Sequence, residues 1–63
     1  MSTISYNTHH VAQALNQMSK IKQSQTTYAE LMYIVKFAMM NNITNVHLDV
    51  KDLMFLNGYL GKE

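Results

Sequence analysis

His9-His10 is the densest cluster of metal-capable donors in the chain. Imidazole nitrogens bind zinc and copper, and a structural zinc site takes four good ligands. On a helix, neighbouring residues point about 100° apart, so each histidine needs a further ligand three or four residues on. His9 has Gln13 at that spacing and His10 has Ala14, and no second cluster follows. The expectation is therefore no metal and two solvated histidines near a helix start. Such a pair would tune a contact around neutral pH only if it lay at one.

His47 and Asp49 would share one face of an extended segment, and Thr44 or Ser24 could add the hydroxyl of a nucleophilic triad. Such chemistry needs a rigid scaffold, an oxyanion hole and a cleft. A chain of 63 residues has little room for these, and Asp49 has a sufficient role as a helix cap. No catalysis and no cofactor is the expectation. Gly58 and Gly61 both lie near the C-terminus, too late to build a glycine-rich phosphate loop. Asn42-Ile43-Thr44 matches a glycosylation sequon but follows no secretory signal.

Lys20 and Lys22 are the candidate nucleic-acid contacts. Both also suit the negative end of a helix, which explains them without a ligand. Pairing them through a dimer would make a phosphate patch. Arginine, the preferred residue for phosphate and guanine, is absent. Tyr6, Tyr28, Tyr33 and Tyr59 do not interleave with the lysines as a base-stacking platform would. The third helix is too apolar to lie in a DNA groove.

The elements that must carry these residues read as mainly α: a three-helix unit over about residues 9–22, 28–41 and 50–60, in one domain spanning 1–63. Residues 43–48 alternate loosely and read as a short strand or an extended loop. A lone strand needs a mate, which a symmetry-related copy could supply. In the first helix, with Thr8 or Ser5 as its cap, Val11, Ala14, Leu15, Met18 and Ile21 fall in one apolar arc. In the second, Thr27 and Glu30 form a capping-box pattern, and Asn41 or Asn42 is a natural stop. Asp49, with Asp52 three residues on, caps the third, and Gly58 or Gly61 ends it.

The second helix is apolar on two sides. Tyr28, Leu31, Met32, Ile34, Val35, Ala38 and Met39 fill a broad arc suited to a core, while Tyr33, Phe37 and Met40 form an outer stripe flanked by Glu30 and Lys36. The third helix repeats the pattern, with Leu53, Leu56 and Leu60 against Phe55 and Tyr59. A chain this short hides only about 60% of its unfolded surface. Hydrophobic residues make up 48% and charged ones only 14%, against roughly 25% charged in an average domain. With no cysteine for disulfides, tight packing or a partner is left, and this composition favours a partner.

Tyr33, Phe37, Met40, Phe55 and Tyr59 are thus the expected interface. The function expected is a non-enzymatic helical interaction or regulatory protein, a homodimer or an adaptor to a protein partner. The alternatives are a small dimeric nucleic-acid-associated transcriptional regulator and a subunit or chaperone of a larger assembly, such as a secretion apparatus or phage particle. A net charge of +1 sets up no field to attract a membrane. No run is long enough to span one, so a cytoplasmic location is expected.

Overall fold

A computed structural model describes residues 3–60. The first strand, β1, is Ile4–Asn7, and the first helix, α1, is Thr8–Asn16. The cap between them is Asn7 rather than Thr8 or Ser5. Its side-chain oxygen accepts from the His9 and His10 amides at 2.9 and 3.3 Å, leaving the Thr8 hydroxyl free to donate elsewhere.

The helix expected over 9–22 breaks at residues 17–19. The Gln17 amide is shared between the Gln13 and Ala14 carbonyls at 3.2 Å each, the mark of a tightening last turn. Ser19 then turns extended and its side chain caps α2, Lys20–Gln23. Serine competes for backbone amides, and here that preference ends one helix and starts another. The break takes Ile21 out of the apolar arc, and it stands 77% exposed.

α3 is Thr26–Met40. The Thr27/Glu30 capping box does not form. The helix begins earlier, with the Tyr28 and Ala29 amides on the Gln25 carbonyl, so Thr27 already lies inside the first turn. Its end matches the reading closely: Asn42 takes the left-handed conformation, at φ 58°. The Ile43 amide reaches back to Ala38 O at 2.8 Å and the Asn42 amide to Met39 O at 3.4 Å, a Schellman closure.

β2 is Asn45–Leu48, and its mate comes from the same chain rather than from a symmetry-related copy. β1 pairs with it antiparallel, in the register Ile4↔Leu48, Ser5↔His47, Tyr6↔Val46, Asn7↔Asn45. Val46 and Leu48 point into the core and Asn45 and His47 out of it. A two-stranded ribbon is marginal alone; this one rests its inner face on the helices.

α4, Val50–Phe55, carries a complete capping box. Asp49 Oδ1 accepts from the Asp52 amide at 2.9 Å, and Asp52 Oδ2 from the Asp49 amide at 3.4 Å. The helix stops well short of residue 60. Residues 56–59 form a turn in which Gly58 holds φ 88°.

Among the described residues, secondary structure is therefore mainly helix, in four segments rather than three, with a short two-stranded sheet. Val11, Ala14, Leu15 and Met18 meet Leu31, Val35 and Ala38 of α3, closed by Val46, Leu48 and Leu56. Thr8 is buried beside them, and its hydroxyl donates to Ile43 O at 2.9 Å while its amide donates to Thr44 O at 2.8 Å. Those two bonds fasten the start of α1 to the turn after α3. Among the described residues no helix is long and apolar enough to cross a membrane.

Candidate functional site: the outer face of α3

α3 buries one side only. Leu31, Val35 and Ala38 are fully inside, clustered within about 60° of arc. Nearly opposite stand Tyr33, Phe37 and Met40, at 74%, 54% and 83% exposure. These three lie where the sequence placed them, on a stripe pointing away from the core. The inner arc is narrower than expected, since Ile34 and Met39 are also exposed while Tyr28 and Met32 are half-buried. The reason is size: three short helices and a four-residue ribbon cover about half of α3's circumference and no more.

The stripe is not a cleft. Ala29, Glu30, Tyr33 and Ile34 line a shallow apolar hollow of about 500 Å³ at its N-terminal end, and Phe37 and Met40 stand proud at the other. Glu30 and Lys36, both exposed, sit three residues to either side of Tyr33. At 100° per residue they fall about 60° round the helix from it in opposite senses, one on each flank. The face is apolar at its centre and carries opposite charges at its edges.

Phe55 and Tyr59, read as a second outward stripe, are half-buried against the core. α4 ends at Phe55, so the helical spacing that would align the two rings outward does not reach Tyr59. Lys22 crosses over both. Its Nζ lies 4.7 Å from the centroid of the Phe55 ring and 5.7 Å from that of Tyr59, and it donates to the Phe55 carbonyl at 3.2 Å. This contact joins residues 33 apart in the chain, and no local pattern in the sequence announces it. Lys22 is held by the fold, whereas Lys20 remains exposed on α2.

The residues singled out for chemistry are dispersed. Asp49 is committed to capping α4. Thr44 Oγ1 donates to Asn45 Oδ1 at 3.1 Å and Ser24 Oγ to Ile21 O at 2.7 Å. His47 is exposed on the outer face of the ribbon, opposite Ser5. His9 is exposed and borders a hollow of about 240 Å³ with Thr8, Met39, Asn42, Ile43 and Thr44. Among the described residues no three His, Cys, Asp or Glu side chains gather as a metal site would require. Asp52 has its carboxyl raised above its ordinary 3.8, chiefly by partial burial, with the nearby Asp49 carboxylate adding to it and the Asp49 amide opposing.

Comparison with known proteins returns no matching family model, no matching curated protein and no matching solved structure.

Proposed function

We propose that this chain is a non-enzymatic interaction protein that works through the outer face of α3, and that the molecule covering that face is a second copy of itself. The observation that carries the reading is the exposure of Tyr33, Phe37 and Met40 side by side on a helix whose opposite side is fully packed. Aromatic residues and methionine are enriched at interfaces. Large exposed apolar patches on small soluble domains mark contact surfaces.

The flanking charges argue for self-association. In a two-fold pair with the α3 helices running the same way, the Glu30 flank of one copy meets the Lys36 flank of the other. Helices running in opposite directions would bring like flanks together. Opposite charges across a symmetric contact favour it and like charges disfavour it. The pair is therefore parallel.

Its strength follows from the area. Fully burying a large side chain is worth about 1.5–3 kcal/mol, so three that are already partly covered give roughly 3–6 kcal/mol per copy. Two copies, less at least about 4 kcal/mol for lost rigid-body freedom, leave roughly 2–8 kcal/mol. That corresponds to dissociation constants of about micromolar or weaker.

Sedimentation across a concentration series reaching about 1 mM should show a reversible dimer in that range. Phe37→Glu should abolish it while the circular dichroism spectrum and thermal midpoint, both measured on the dilute monomer, stay unchanged. Glu30→Lys and Lys36→Glu should each weaken association, and the double exchange should restore it. A chain that stays monomeric throughout the series rules out a homodimer with a dissociation constant below about 1 mM, and assembly beyond two copies would point to a subunit of a larger particle. The nucleic-acid reading is behind, because Lys22 would have to leave the Phe55 carbonyl and both rings to reach a phosphate.

A further inference from the structure

We propose that Asn57-Gly58 is a site of spontaneous covalent change, where the chain converts its own asparagine to aspartate and isoaspartate without an enzyme. The Gly58 backbone nitrogen gives up its proton to solvent base and attacks Asn57 Cγ. The new N–C bond closes a succinimide ring, the Cγ–Nδ2 bond breaks, and Nδ2 leaves as ammonia. Water then adds to one of the two imide carbonyls and opens the ring there. Opening at one carbonyl restores the normal main chain as aspartate; opening at the other routes the main chain through the side-chain carbon as isoaspartate. The net exchange is water in and ammonia out, with no oxidant or reductant.

Three observations converge on this position. Of the six asparagines, at 7, 16, 41, 42, 45 and 57, only Asn57 precedes a glycine, so elsewhere a side chain on the following residue shields the attacking nitrogen. At Gly58 the space is open, with nothing within 4 Å of where a Cβ would stand. Neither reacting group is held: among the described residues the Gly58 amide has no hydrogen-bond partner, and the Asn57 carboxamide, on an exposed residue, has none. Asn41, by contrast, has its side chain tied to Phe37 O at 2.8 Å. The Tyr59 amide closes the turn on Leu56 O at 2.9 Å and the Asn57 amide reaches Met54 O at 3.3 Å, and neither bond engages the Gly58 amide or the Asn57 side chain.

Conversion adds one carboxylate, which takes the net charge from +1 to zero (1 − 1 = 0). The new charge sits just past the C-terminal end of α4, where a helix disfavours anions. Isoaspartate also lengthens the main chain by a methylene between the buried Leu56 and the half-buried Tyr59, loosening the ring beneath Lys22.

The test incubates the full chain at neutral and mildly alkaline pH beside a free peptide covering residues 53–60, with peptide mapping for isoaspartate. An unheld turn reacts within about tenfold of the peptide, faster at the higher pH, because local opening there costs almost nothing. A turn protected like the core would lag by at least about 10³-fold at a global stability of 5 kcal/mol. Asn57→Gln should suppress the acidic product, and the other five asparagines serve as internal controls. Lag beyond tenfold, or an acidic product that persists in Asn57→Gln, overturns the proposal.

Discussion

Replacing Lys22 with methionine isolates what its ammonium does, since methionine keeps a stem of similar length and loses only the charge. The contacts at stake are the donation to Phe55 O at 3.2 Å and the two rings at 4.7 and 5.7 Å. A hydrogen bond from a charged donor is worth about 1.5–3 kcal/mol when dry. Lys22 is half-buried, and its bare carbonyl partner can be rehydrated, so about half of that applies. Each cation–π contact adds about 0.5–1 kcal/mol, the farther ring contributing less. The loss should come to about 1.5–2.5 kcal/mol. For a domain this small each kcal/mol moves the thermal midpoint by roughly 4–8 °C. Urea denaturation followed by circular dichroism gives the free energy directly, and Lys20→Met, on the same short helix but exposed, serves as the reference at about ±0.5 kcal/mol. Were Lys22→Met to cost no more than Lys20→Met, the strap across Phe55 and Tyr59 would be ornamental. Lys22 would then be available for a phosphate after all.

Thr8→Val keeps the volume but removes a buried donor, so Ile43 O loses its partner. The expected cost is about 1–3 kcal/mol, read as a lower urea midpoint with an unchanged slope. Asp52 has a carboxyl that holds its proton more tightly in the folded chain than in the unfolded one. Its contribution to stability is fully present below about pH 3.8 and declines as pH rises through the raised folded value. Asp52→Asn should therefore gain on the natural chain in thermal midpoint between about pH 3 and about pH 7. A difference that stays flat, or runs the other way, would refute that assignment. Phe37→Glu should leave stability within about ±0.5 kcal/mol, because the ring it replaces faces solvent in the single copy; a large loss of stability would mean that the ring belongs to the core.

Many helix positions and end signals were legible in the sequence where the signal was local, although the Thr27/Glu30 capping box does not form and Asn7 rather than Thr8 or Ser5 caps α1. The Asp49/Asp52 cap, the left-handed Asn42 and Gly58, and the outward Tyr33–Phe37–Met40 stripe all depend on residues within a turn or two of one another, and all stand where the spacing put them. The remaining misses required partners far along the chain or a close competition. β1 has four residues and one alternation, too few to read, and only pairing with β2 makes it a strand. Ser19 could serve mid-helix or as a cap, and the difference is a few tenths of a kcal/mol before packing decides. Phe55 and Tyr59 look outward on a helical wheel, because the wheel contains neither the end of α4 nor Lys22.

The register Ile4↔Leu48 joins positions 44 apart (48 − 4 = 44), with α1, α2 and α3 strung between them. Helical segments can organise from near neighbours within microseconds, whereas a ribbon spanning that distance must wait for the loop to close. On a ribosome, where the chain emerges in order, Tyr6 spends the synthesis of some forty residues without the valine it will face. Whatever shelters a nascent chain must guard that strand until its mate is made, and a slowdown in translation before Leu48 would prolong its wait.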